Sequence, residues 1–286
     1  SIMAQQLMGK AVADAVCEKL KADVDALRAK GTSPKLAIVR VGERGDDIAY
    51  ERSAMKRMAA LDIDVENVLL PEDISQEALE DAFRKVNEDA AVHGIMIFQP
   101  LPKHLSAKPL VDMIHPLKDV DGISPLNSAK VFAGDASGVA PCTPAACMAI
   151  LAHYGVDLTG KRVVEVGRSM VVGRPLSMLL LKENATVTIC HTRTKDLADR
   201  LKEADIVIAA AGKAKMITAE MVRPETVVID VGINVDENGK LVGDVDYEAV
   251  EPIVSAITPV PGGVGGVTTA ILAQHVVEAA KGLNEA

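Results

Sequence analysis

The chain is 286 residues long and 49% apolar, enough for one large or two medium cores. Forty acidic residues against 31 basic ones give a net charge of −9, which argues against a nucleic-acid partner, because a phosphate backbone needs a basic surface. Aromatics are only 2% and Trp is absent, so the cores must be built from Val, Ile, Leu, Ala and Met; charges interrupt every apolar run before it reaches the length of a membrane span.

Residues 4–30 carry Leu7, Val12, Val16, Leu20, Val24 and Leu27 at helical spacing, and Gly31 stops the pattern. Residues 36–42 read as a strand ending at a glycine, 48–61 as a helix, and 65–70 as a strand closed by Pro71. Ser75 is a candidate N-cap for a helix over 77–86. Residues 94–98 are the next strand, opening into Gln99-Pro100-Leu101-Pro102. This alternation predicts a parallel sheet with right-handed crossovers.

Residues 116–144 are rich in Gly and Pro and read as the passage between two domains, with Thr143 as a cap for a helix over 144–154. Strands follow at 162–166, 186–190, 206–210 and 227–231, with helices near 175–183, 197–203 and 219–222. The fold class expected is α/β: two α/β domains, the second a doubly wound Rossmann-type parallel sheet. The boundaries expected are 1–142 and 143–266, with a last helix over 267–286 packing back on the first domain.

Cys17, Cys142, Cys147 and Cys190 form no C-x-x-C pair and read as reduced thiols of a cytoplasmic protein. The six histidines show no metal-ligand spacing, so no metal is expected.

A dinucleotide site is indicated by Gly167-Arg168-Ser169-Met170-Val171-Val172-Gly173-Arg174. The turn is longer than G-x-G-x-x-G, but a buried strand precedes it and a helix follows, which turns helix N-terminal amides toward a pyrophosphate. A plain strand-to-helix turn that needs glycine for φ > 0 is the bland alternative. The second strand ends in Cys190-His191-Thr192-Arg193, with no acid to hold ribose hydroxyls. Arg168, Arg174 and Arg193 would suit a 2′-phosphate, so the cofactor expected is NADP rather than NAD. His191 and Thr192 lie at the same edge. Ala211-Gly212 and Gly232-Ile233-Asn234 end the third and fourth strands, where backbone could approach a nicotinamide.

Seven ordered segments then carry a resemblance over nearly the whole length: Val41-Gly42 with Tyr50 following, Gln99-Pro100-Leu101-Pro102, Lys118-Asp119-Val120-Asp121-Gly122, Pro141-Cys142-Thr143-Pro144, Gly167-Arg168-Ser169, Val231-Gly232-Ile233-Asn234 and Pro259-Val260-Pro261-Gly262-Gly263-Val264-Gly265. The chain resembles the bifunctional methylenetetrahydrofolate dehydrogenase/methenyltetrahydrofolate cyclohydrolase family. The resemblance implies NADP-linked oxidation of 5,10-methylenetetrahydrofolate, hydrolysis of the product to 10-formyltetrahydrofolate, and a two-domain homodimer with the site between the domains. It implies that Tyr50 packs on the folate rings, that Gln99 bonds near the reacting carbon, that Asp121 holds the pterin amide edge, and that Leu101 and Pro261-Gly262-Gly263 line the folate site. An Asx-turn role for Asp121 and a strand-end role for Gln99 are the structural alternatives.

One position departs from the family. Its members usually carry a lysine four residues after the tyrosine, one helical turn on; here that residue is Ala54. Lys56 is the nearest lysine, but at +6 it lies about 200° round the helix from the place the lysine would take, and it is expected to face solvent. Hydride loss needs positioning above all, whereas adding water to the methenyl cation needs a proton moved. The dehydrogenase step is therefore expected to survive and the cyclohydrolase step to be weak or differently catalysed. Gly266-Val267, where the family more often has Pro-Met, is a smaller departure. A monofunctional dehydrogenase of the same family, an NADP-dependent dehydrogenase of small carbonyl acids, and a binding module without chemistry stay open at this stage.

Overall fold

The computed structural model describes residues 3–285. Its first half runs β1 (Gln5–Gln6), α1 (Gly9–Ala29), β2 (Lys35–Val41), α2 (Gly45–Ala60), β3 (Asp64–Leu70), α3 (Gln76–Glu88), β4 (Gly94–Ile97), α4 (Lys108–Met113), α5 (Pro125–Ala133) and α6 (Cys142–His153). The second half runs β5 (Arg162–Val166), α7 (Gly173–Lys182), β6 (Thr186–Cys190), α8 (Leu197–Lys202), β7 (Ile206–Ala209), β8 (Val227–Asp230), β9 (Asn234–Val235), β10 (Leu241–Val242), α9 (Tyr247–Val250), β11 (Ala256–Ile257) and α10 (Thr268–Glu285). These elements form two compact units. One holds the chain through Asp14 with Thr143–Thr268; the other holds Ala15–Cys142 with the chain from Thr269 on.

The second of these is built on a three-stranded parallel sheet in the order β3-β2-β4, with Val39 beside both Val68 and Ile97. Central β2 is buried from Leu36 onward, as a parallel strand covered on both faces must be. Ala37, Val39 and Val41 point one way, onto Leu79 and Phe83 of α3 and Leu110 of α4. Ile38 and Arg40 point the other way, where Arg40 meets Glu51 of α2. Thr269 and Val276 of α10 lie against Arg57 and Gly94 of this unit.

The stretch expected to be a passage between domains contains a helix, α5. The signals for it are local: Ser124 caps it by accepting from Asn127 N–H, Pro125 opens it, and Gly134 closes it at φ 72°. The Gly and Pro content hid a nine-residue element.

The other unit holds a six-stranded, all-parallel sheet in the order β1-β11-β8-β7-β5-β6. Strand order reverses at β5, which has β6 on one side and β7 on the other; that reversal is the switch point where open α/β sheets bind ligands beyond the strand ends. The expected helix over 4–30 starts only at Gly9. Gln5 and Gln6 instead pair with Ala256 and Ile257, so the chain through Asp14 belongs with this sheet and not with residues 15–142. Gly9 sets the start because a Cβ there would stand 2.1 Å from the Gly263 carbonyl oxygen. The helix expected over 219–222 is a short 3-10 turn, Ala219–Met221. No helix among the described residues is long and apolar enough to cross a membrane.

Candidate active site

In the six-stranded unit, the ends of β5, β6 and β7 meet at the switch point. Gly167 N–H donates to the Cys190 carbonyl at 2.9 Å, and Ala210 N–H donates to the Val166 carbonyl at 2.8 Å. Gly167 has φ +136°, and a Cβ on it would stand 2.3 Å from Ala210 O; a Cβ on Gly173 would stand 2.2 Å from Gly167 O. Both glycines are therefore required by backbone that passes close by. Ser169 Oγ accepts from Val172 N–H at 3.1 Å and its carbonyl accepts from Arg174 N–H at 3.0 Å, so the turn folds against the N-terminus of α7, which begins at Gly173.

Arg174 bends back, donating Nε to the Arg168 carbonyl at 3.0 Å. Arg168, Thr192 and Arg193 are exposed at the rim, and His191 is half-buried, its Nδ1 accepting from Arg193 N–H at 3.1 Å. A glycine-walled turn, a helix N-terminus and two outward guanidinium groups fit a dinucleotide carrying a 2′-phosphate.

Two carboxylates missed by sequence reasoning build the neighbouring loops. Asp244 is fully buried; it accepts from Ala211 N–H at 2.7 Å and Gly212 N–H at 3.0 Å through Oδ2, and from Asn234 Nδ2 at 2.9 Å through Oδ1. Asp230 accepts from the amides of Gly232, Asp244 and Val245, and burial pushes its pKa up to about 6. A Cβ on Gly232 would meet Asp244 Oδ1 at 2.2 Å, and one on Gly243 would meet Asp230 Oδ2 at 1.9 Å. The Gly-Asp-Val-Asp run at 243–246 was the available signal. Gly232, Ile233 and the Pro261-Gly262-Gly263 strap line one cavity of about 380 Å³, so residues expected for cofactor and for folate share a wall.

The three-stranded unit carries the other expected residues. Tyr50 of α2 and Phe98, just past β4, meet edge-to-face at 6.1 Å between ring centroids. Gln99 follows, exposed, before a cis bond to Pro100. Leu101 lines a cleft of about 1030 Å³ beyond the ends of β2, β3 and β4, together with Gly42, Arg44, Pro100 and Lys103. Asp119 bridges Ile95 in parallel, so residues 119–122 run alongside β4 and carry Asp121 toward the same sheet edge as Gln99.

Asp119 and Asp121 divide the work of that turn. Asp119 is fully buried and accepts from Ile123 N–H at 2.9 Å, Ser124 N–H at 2.8 Å and Asn127 Nδ2 at 2.9 Å. The turn is thus held by Asp119, not by an Asx role for Asp121. Asp121 has one side-chain neighbour of this kind, the Cys142 thiol at 3.6 Å. Burial first, and then the Asp119 charge, push its pKa up to about 6. Val120 O accepts from the ring of half-buried His275 at 2.8 Å.

On α2, Ala54 is fully buried and Lys56 is exposed. Arg57 is occupied elsewhere, donating Nε to Thr269 Oγ1 at 3.2 Å. The structure therefore does not bring Lys56 to Tyr50, Gln99 and Asp121.

A doubly wound sheet with a glycine-walled turn at its switch point, in a chain whose other α/β unit bears a carboxylate left out of its own turn, defines a two-domain dinucleotide-dependent enzyme class. The family is shown by direct matches. Residues 7–121 match the model of the tetrahydrofolate dehydrogenase/cyclohydrolase catalytic domain, and residues 141–284 match that of its NAD(P)-binding domain. The chain is 56% identical over 281 residues to the bifunctional protein FolD of Clostridioides difficile (strain 630), covering 98% of each. Among solved structures, the FolD methylenetetrahydrofolate dehydrogenase/cyclohydrolase of Campylobacter jejuni superposes with a TM-score of 0.95 at 40% identity, over 98% of this chain and 99% of that one. The Trypanosoma brucei enzyme, solved with NADP cofactor and an inhibitor, gives 0.94 at 36% identity, each chain fully covered. The chain belongs to the tetrahydrofolate dehydrogenase/cyclohydrolase family.

Proposed function

We propose that the chain oxidises 5,10-methylenetetrahydrofolate to 5,10-methenyltetrahydrofolate with NADP and hydrolyses that cation to 10-formyltetrahydrofolate. The observation that carries the reading is the spare carboxylate: Asp119 holds the turn, which leaves Asp121, touched by the Cys142 thiol at 3.6 Å on Oδ1, to face a ligand. An ionised carboxylate accepts from two N–H groups at once, as the amide edge of a pterin offers.

Tyr50, steadied by Phe98, supplies an aromatic face for the folate rings. Gln99 places an amide that donates and accepts at the bridging carbon and its nitrogens. The Pro261-Gly262-Gly263 strap, without bulky side chains, lets backbone close on the ring. These groups act by fixing a near-attack geometry, since the folate nitrogen lone pair itself expels the hydride. Arg168 and Arg193 hold the 2′-phosphate, Arg174 braces the turn, and the Gly167-to-Gly173 turn takes the pyrophosphate. NADP, when bound, supplies the hydride acceptor.

The reading extends to a cytoplasmic protein without nucleic-acid or membrane partners, supported by four free, buried cysteines and the acidic charge balance, and to the homodimer that the family resemblance implies. It assigns folate to the unit holding residues 15–142 and nucleotide to the unit holding 143–268. The test is a pair of assays on the purified protein: NADP reduction on adding methylenetetrahydrofolate, and loss of methenyltetrahydrofolate without nucleotide. Saturable activity in both is expected, with Asp121→Ala losing both; turnover untouched by Asp121→Ala overturns the site.

A further inference from the structure

Ring opening requires a group that takes a proton from water and gives it back. With Ala54 buried and Lys56 in solvent, α2 offers no amine beside Tyr50. The inner stripe of α2 is instead Asp47, Glu51, Ala54 and Met58, at helical spacing. Two buried carboxylates thus occupy the face where the sequence lacks a lysine.

Their partners distinguish them. Arg40 of β2 donates Nε to Glu51 Oε2 at 2.9 Å and Nη1 to the Gly42 carbonyl at 2.6 Å, so this pair is committed. Arg44 donates to Asp46 at 3.0 and 3.4 Å and to the Pro100 carbonyl at 3.3 Å. Asp47 is left with Arg44 Nε at 3.7 Å, too long for a hydrogen bond. It is the buried carboxylate of the group held least firmly. Asp47 also lies one helical turn before Tyr50, and Arg44 ties that turn to the residue after Gln99. The charged groups around Asp47 are Arg44, Asp46, Glu51 and Arg40; burial raises its pKa, the two arginines oppose the rise, and the two acids add to it.

We propose that Asp47 is the proton-accepting group of the ring-opening half-reaction. The inference rests on the function proposed above. Water forms a C–O bond to the methenyl carbon while one of its protons passes to the Asp47 carboxylate, leaving a neutral carbinolamine. The carbon–N5 bond then breaks as the hydroxyl proton leaves and a C=O forms; N5 receives a proton from Asp47, and the net proton goes to solvent. No oxidant or reductant is needed.

The experiment assays both half-reactions in wild type, Asp47→Asn and Asp47→Glu. Asp47→Asn is expected to lose about 10²–10⁴-fold of ring-opening kcat, together with the rise of that rate with pH, while NADP reduction falls less than tenfold. Asp47→Glu restores part of the rate. Retained NADP reduction certifies folding. Undiminished hydrolysis in Asp47→Asn overturns the inference, as does an equal loss of both half-reactions. A wild-type protein that reduces NADP but opens no ring also overturns it, leaving the dehydrogenase standing; one that does neither overturns the proposed function itself.

Discussion

Arg40 Nε donates to Glu51 Oε2 at 2.9 Å between β2 and α2, with each side chain only 10% exposed. In an aliphatic interior the geometry must be good to offset desolvation, and Arg40 meets that need with a second bond to the Gly42 carbonyl. Arg40→Met leaves the Glu51 carboxylate buried and unpaired, and should cost about 3–5 kcal/mol in urea unfolding. The double variant Arg40→Met/Glu51→Leu should recover most of that loss. A double variant no better than the single one would show that the pair's worth is net attraction rather than mutual neutralisation.

Glu165 sits mid-strand in β5 at 1% exposure, and neither carboxylate oxygen has a hydrogen-bond partner among the described residues. Burial pushes its pKa up to about 8. The same interior pushes the Cys147 thiol up to about 12, by burial first and by Glu165 second. The unfolded chain releases the Glu165 proton near its ordinary pKa, whereas the folded one keeps it until about pH 8. Folding stability contributed here is therefore present at low pH and lost as pH climbs from about 4.5 to 8. Glu165→Val should gain on the wild type across that window, by about 3–5 kcal/mol at its upper end. Thermal unfolding at pH 5 and pH 8.5 checks it; a gap that fails to widen with pH refutes the account.

Arg168 and Arg193 stand exposed at the nucleotide rim, while Arg174 is bent onto the turn's own carbonyl. A charge-assisted bond to a phosphate is worth about 1.5–3 kcal/mol. Arg193→Ala is expected to raise the KM for NADP about 10–100-fold and to leave that for NAD nearly unchanged. Arg174→Ala should weaken both nucleotides together, because it loosens the turn rather than a phosphate contact. Equal effects of Arg193→Ala on the two nucleotides would remove the 2′-phosphate assignment.

The sequence made the parallel α/β plan legible because buried parallel strands read as aliphatic runs, and 162–166 and 186–190 coincide with β5 and β6. It also pointed to Gly167 and Gly173, whose backbone crowding a side chain would violate. Pairings across long sequence separation were hidden. Gln5-Gln6 has no strand pattern of its own and is a strand only because β11 offers an open edge. Asp244 looked like one more surface acid, since its role depends on amides more than thirty residues away in the chain. Likewise Asp119 and Asp121 stand two apart in a five-residue motif, and nothing local says which holds the turn and which is left over. Asp47 escaped notice for a related reason. An acid in the first turn of a helix is ordinary, and only the packed fold buries this one.

The spare carboxylate makes a prediction about pH. Asp121 carries a pKa of about 6 before ligand arrives, raised by burial and by Asp119. Its protonated form has a hydroxyl that donates, so it loses one of the two acceptors facing pterin N–H groups. The KM for methylenetetrahydrofolate in the dehydrogenase assay should therefore be flat above about pH 7 and rise toward tenfold per unit as pH falls below about 6. Asp121→Asn should show a raised KM without that slope, because its amide does not titrate. A second variant separates the cause from the residue: Cys142→Ala removes the thiol that holds down the Asp121 pKa, and should move the bend in the profile to higher pH. If the bend stays put when Asp121 is changed to Asn, another group titrates there, and Asp121 is not what grips the folate.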